Sequence, residues 1–247
     1  MNGLALQVRT RSKVLDYRFV GAAQPSERWW EKAYGRWTDF SRLTILVEPG
    51  RFFVSGIGYK RTDSKGARIH YALNARVEPE GRALAAQMLA WLCEVRQRTG
   101  SLDEVGARLD ALGEDVWSAA LQGNQAAIDR VDAGVMNLLQ ESPRQTDQRA
   151  APQPFLLAAA DPQAFARLGA LAAAVVALEP GGPERAVYLN LASSSELAPL
   201  LQHGASAVVC REIDTRPKSS RPLLAGAAVV MLGLIVAAVL LLQTAPS

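Results

Sequence analysis

The stretch LLAGAAVVMLGLIVAAVLLL, residues 223–242, constrains this chain more than any other. It holds twenty positions without a charged or polar side chain. As a helix rising about 1.5 Å per residue it would be about 30 Å long, the hydrocarbon thickness of a bilayer. A helix with one face in water would keep polar residues on that face, and this run has none. The expectation is one C-terminal transmembrane helix. Arg211, Arg216, Lys218 and Arg221 precede it, and only Gln243, Thr244, Ala245, Pro246 and Ser247 follow. Cations stay on the cytoplasmic side. The expected layout is thus a tail-anchored, single-pass protein of the inner (cytoplasmic) membrane with a cytoplasmic N-terminus. MNGLALQVRTRSK at the start has no apolar signal core, so secretion is not expected. Gly226, Gly233 and Ala237 share one face, where small residues let helices approach, so the membrane helix is also a candidate surface for homo-oligomers.

The remaining chain divides by charge. Residues 1–82 carry 15 Lys and Arg against 8 Asp and Glu, whereas residues 83–210 carry 8 against 14. A basic unit can meet nucleic acid, a nucleotide, anionic lipid or an acidic protein face; it can equally dock on the acidic unit of its own chain.

Periodicity supplies the organisation. LALQVRTRSKVLDYRFV (4–20), LTILVE (43–48), RFFVSGI (51–57) and ARIHYALNARV (67–77) alternate as strands do. Between the first two, SERWWEKAYGRWTDF places Trp29, Trp30 and Trp37 on one face of a short helix. That face either packs on a sheet or stacks bases. From residue 80 the period turns helical, with a capping box at Ser101 and Glu104 and a break near Gly123. ESPRQTDQRAAPQP is polar and Pro-bearing, the signature of a linker. After it, PFLLAAA, DPQAFARLGALAAAVVAL, ERAVYLNLA, SSSELAPLLQHG and ASAVVCRE read β-α-β-α-β, which predicts a small parallel sheet. The expected fold is therefore an α+β N-terminal unit (1–140), a linker (141–154), a small α/β unit (155–212), a basic juxtamembrane linker (213–222) and the membrane helix (223–242).

Motifs for chemistry are scarce. The chain has no G-x-x-x-x-G-K-[ST], G-x-G-x-x-G or G-x-S-x-G. With two histidines, His70 and His203, and two cysteines, Cys93 and Cys210, no metal site, cofactor or catalytic residue is assigned. Asp161 and Ser193 each open a predicted helix after a strand, where α/β folds place ligands, and are candidate ligand residues; capping is their ordinary work. KRTDSKGARIHYAL (60–73) contains Lys60, Arg61, Lys65 and Arg68. No helix follows it, so it reads as the tip of a hairpin rather than a phosphate loop. Its cations, with Trp29, Trp30 and Trp37, are the candidate surface for a polyanion or partner.

RTDSKGARIHYAL resembles an R-x-D-x-x-G-R-type stretch of the GTPase-associated adaptor proteins of bacterial conflict systems. In that stretch Gly66-Ala67-Arg68 replaces the family's Gly-Arg, and FLLAAADPQAFARLGALAAAVVALEPGGPERAVYLNLASS resembles their middle module. The resemblance implies a non-enzymatic adaptor that works with a GTPase or another NTPase in antiphage defence. The expected function is accordingly a cytosol-facing, tail-anchored bacterial interaction protein, a sensor, adaptor or membrane effector. The alternative is a membrane-tethered enzyme acting on a nucleotide or lipid. Expected partners are the membrane, a protein partner, nucleic acid or a nucleotide, and a second copy.

Overall fold

The computed structural model describes residues 3–21, 28–140, 157–158, 163–182, 184–190, 197–202 and 210–211. All of them fall in one compact unit, Met1–Ile213. Its centre is an antiparallel sheet. The strands are β1 (Leu4–Thr10), β2 (Arg18–Val20), β3 (Thr44–Glu48), β4 (Arg51–Thr62), β5 (Arg68–Val77) and, much later, β7 (Ala186–Leu189). They lie in the order β2-β1-β5-β4-β3-β7. The helices are α1 (Trp29–Tyr34), α2 (Arg82–Thr99), α3 (Asp103–Asp110), α4 (Glu114–Leu121), α5 (Gln125–Gln140), α6 (Ala164–Val176) and α7 (Leu197–Gln202). β6 (Leu157–Ala158) and β8 (Cys210–Arg211) pair with each other in parallel.

Strand alternation sorts the sheet's side chains onto two covered faces. Val8, Ile45, Val47, Phe52, Val54, Ile57, Tyr71, Leu73, Ala75 and Tyr188 point toward the large core beneath α2 to α6. Leu46, Phe53, Ala72, Val187 and Leu189 point the other way, under Trp29, Trp30 and Tyr34 of α1 and Leu200 of α7. The aromatic face of α1 is thus packing. Trp30 is fully buried and stacks on Phe53, centroids 4.1 Å apart.

β4 is long and bends on a bulge. Its pairing with β5 shifts register between Val54 and Ile57. Gly56 sits in the bulge at φ +76°, and a methyl group there would come within 2.3 Å of the Arg42 and Leu43 backbone. Only glycine fits both restrictions.

The expected fold class is corrected at its second unit. The elements after the linker follow the expected order β6-α6-β7-α7-β8, and β6 and β8 are parallel, but among the described residues the three strands do not form one sheet of their own. β7 joins the first sheet as the antiparallel neighbour of β3, with Ile45 opposite Tyr188 and Leu46 opposite Val187. α6 lies along α2, and the contact is close because Gly169 faces Ala90 and Cys93. The physical reason is burial. All five residues of β3 are buried, so it needs cover on both faces and a strand on each side. Nine of the thirteen residues of α6 are buried, too many for one helix face against a three-stranded sheet. The helix expected from Asp161 is capped at Gln163 instead, without a side-chain cap.

The membrane readings are corrected too. Among the described residues no helix is long and apolar enough to cross a membrane. The longest, α2, has 18 residues and carries Arg82, Glu94, Arg96 and Arg98. The most apolar, α6, has 13 residues, about 20 Å of helix, and spends them on the core. Residues 223–242, with Gly226, Gly233 and Ala237, lie outside the described residues. No element of the described fold therefore supports the transmembrane helix or what was drawn from it. That covers tail anchoring, inner-membrane location, the membrane as partner or effector target, oligomers through that helix, and the membrane-tethered enzyme.

Candidate functional site at the basic end of the sheet

At one end of the sheet β1 runs out, β2 begins, and β4 turns into β5. The β4–β5 turn is built by Asp63. Its carboxylate accepts the N–H groups of Lys65 (2.8 Å) and Ala67 (2.9 Å), and its own N–H donates to the Ala67 carbonyl at 2.9 Å. Gly66 closes the turn at φ +80°. Arg11, just beyond β1, pairs with Asp63 at 3.2 Å. The Ala67 N–H, against some burial, and then the Lys65 N–H and the Arg11 charge hold the Asp63 carboxyl below its ordinary range.

Next to it, the β1–β2 connection is built by Ser12, which is fully buried. The Ser12 hydroxyl accepts the N–H groups of Val14 (3.3 Å) and Leu15 (3.0 Å), and the Ser12 N–H donates to the Leu15 carbonyl (3.1 Å). This local turn points Leu15 into the main core and Val14 out. The Lys13 N–H donates to Glu114, the first residue of α4, at 2.7 Å.

Glu114 also ties down Arg61. The Arg61 guanidinium, with only 10 % of its side chain exposed, reaches Glu114 at 2.8 Å, the Tyr71 hydroxyl at 2.7 Å and the Arg11 carbonyl at 2.9 Å. Tyr71 in turn donates a short hydrogen bond to Asp110 at the end of α3. Burial would raise the Glu114 pKa, but the Lys13 N–H, Arg61 and Ser118 outweigh it and hold the carboxyl low. Burial pushes the Tyr71 phenol up, against the Arg61 charge and with the Asp110 contact, so it stays protonated. The network locks the end of the sheet to the α3–α4 corner; the three guanidinium nitrogens of Arg61 and the Tyr71 hydroxyl each have an acceptor. Chemically it is a brace.

The sequence-named cations therefore separate. Lys60, Lys65 and Arg68 are exposed, and Arg61 is consumed in the brace. Lys65 and Arg68 make no ion pair among the described residues. Lys13 and Arg18, which the sequence reading passed over, are exposed at the same end. The signal for Lys13 was the polar run RTRSK (9–13), which names a loop but not where it points; Arg18 lies beyond it, at the start of β2. Asp16 is the exposed carboxylate beside them.

The tryptophans do not join this end as contacts. Trp29 is 8 % exposed and its Nε1 donates to Asn74, while Trp37 is half-buried with Arg36 over its ring at 3.8 Å. Asp161 and Ser193 lie outside the described residues, as does His203. His70 packs its ring on Gly58, with a buried Nδ1 that lacks a hydrogen-bond partner; burial depresses its pKa. No group of three or more His, Cys, Asp or Glu among the described residues could hold a metal ion. No family model, curated protein or solved structure matches the chain.

Proposed function

We propose that this chain is a binding module whose basic end docks an acidic segment of another protein. One observation carries the reading: two cations of this end, Arg11 and Arg61, are turned inward into ion pairs with Asp63 and Glu114, whereas Lys13, Arg18, Lys65 and Arg68 are exposed and make no ion pair among the described residues. Arg11 and Arg61 fix the two turns, and those turns hold Lys13, Arg18, Lys65 and Arg68 outward. A cation surface on a fixed frame loses little entropy when it meets carboxylates, and it raises the encounter rate. A protein segment is favoured over nucleic acid because the aromatic residues that would stack bases are spent on the core. The resemblance to adaptor proteins belongs to the same class of function, on its quoted residues alone.

The test uses the full chain and a fluorescent poly-glutamate probe. The triple variant Lys13→Glu, Lys65→Glu, Arg68→Glu should bind at least tenfold more weakly than wild type at low salt. Wild-type affinity should fall steeply as salt rises. Unchanged binding in a variant with a native circular dichroism spectrum would remove the proposal.

A further inference from the structure

We infer that Val14, on the β1–β2 connection, is an apolar anchor of this basic end, and that the partner segment carries an aliphatic or aromatic side chain among its acidic residues. The inference rests on the docking role proposed above and narrows it from a charge class to a sequence class.

Val14 is 78 % exposed, and only one other large hydrophobic among the described residues is exposed, Leu178 at 42 %. Leu178 follows α6 and precedes Glu179, an acidic neighbour that pairs with Arg82. Scattered exposed apolar residues are ordinary. Val14 differs in three ways. It sits on a turn held by the buried Ser12 hydroxyl and tied to α4 through the Lys13 N–H, so its position is set by the fold. It follows Lys13 directly and shares the end with the exposed cations Arg18, Lys65 and Arg68, against the one carboxylate of Asp16 on its own connection. Its neighbour Leu15 already serves the core, so folding does not call on Val14. A β-branched side chain has few rotamers to lose when covered. An apolar contact with a polar surround is also the common layout of a protein-binding patch.

Two twelve-residue peptides test this by fluorescence anisotropy. Both are Glu and Ser in alternation, and one has a central Leu in place of Ser. Wild type should prefer the Leu peptide about fivefold, and that preference should persist as salt weakens both complexes. Val14→Ser should abolish the preference while leaving the Glu/Ser peptide unaffected, and Val14→Leu should keep it. Equal affinity of wild type for the two peptides, or a preference that survives in Val14→Ser, overturns the anchor and leaves the charge reading standing. Failure of both peptides to bind overturns both. Tighter binding of a dT12 oligonucleotide than of either peptide overturns the protein partner itself.

Discussion

Arg61 and Arg68 belong to one hairpin, seven residues apart, and the fold uses them in opposite ways. Arg61 lies on the stem, pointing toward the helices, and four acceptor contacts hold it among Glu114, Tyr71 and the Arg11 carbonyl. Arg68 opens β5 just past the turn and is exposed. Charge counted along the sequence weighs the two alike. Depth and neighbours decide that one is structural and the other free to bind. The same division separates Arg11, paired with Asp63, from Lys13, whose side chain is exposed while only its backbone N–H is used.

The strongest way to break this comparison is to remove Arg61. Arg61→Met takes the guanidinium donors away from Glu114 Oε2, the Tyr71 oxygen and the Arg11 carbonyl, while Lys13 and Ser118 still donate to Glu114 Oε1. Stranding partners of a largely buried charge costs about 3–5 kcal/mol, so the urea midpoint should drop sharply. Arg68→Met should leave it within about 0.5 kcal/mol. Equal effects at the two positions would show that the stem and tip are not distinct. Tyr71→Phe probes the same brace more gently. It deletes the hydroxyl between Arg61 and Asp110, and the loss should be about 1–2 kcal/mol, with native packing on Trp117 retained.

The sequence made the hairpin legible and left the brace hidden. Alternation in RFFVSGI and ARIHYALNARV, with Asp63 and Gly66 between them, is local information, and β4, β5 and their turn follow from it. Arg61 meets Glu114 across 53 residues of chain and Tyr71 meets Asp110 across 39. Neither pair leaves a periodic trace, because a single contact between a strand end and a helix corner does not repeat. The placement of β7 was lost for a related reason. ERAVYLNLA reads correctly as a strand, but its pairing with β3, some 140 residues earlier, is set by what the helical layers leave uncovered. The unbroken apolar run Ile45-Leu46-Val47 of β3 was the available clue, since a strand buried on both faces cannot sit at an uncovered edge. Val14 was missed because VLDYRFV alternates as a strand from Val14 onward, whereas β2 begins only at Arg18 and leaves Val14 on the connection.

Acid sharpens the distinction between stem and tip. Glu114 has a folded-state pKa below its ordinary value of 4.5, so the folded protein binds a proton there less readily than the unfolded chain. Its contribution to stability is complete above about pH 4.5 and is lost as pH falls through the lower folded value. Glu114→Gln should therefore weaken the protein at neutral pH and flatten the acid limb of the stability curve below pH 4.5. Urea titrations at a series of pH values read this directly. An acid limb of unchanged slope would mean that the brace draws its strength from Asp110 or from packing instead.

The smallest effect is expected at the tip. The Lys65 charge is one of the lesser influences that lower the Asp63 pKa, behind the Ala67 and Lys65 N–H groups and Arg11. Lys65→Ala removes that charge and keeps the N–H, so the turn survives and Asp63 titrates only slightly higher. Stability should move by less than about 0.5 kcal/mol at neutral pH. Asp63→Ala is the informative counterpart, because it deletes the acceptor for Lys65, Ala67 and Arg11 at once. Loss of poly-glutamate binding in Lys65→Ala at unchanged stability would assign that cation to recognition. Loss of binding in Asp63→Ala, with every cation still present, would show that the turn must hold the cations in place for their charge to count.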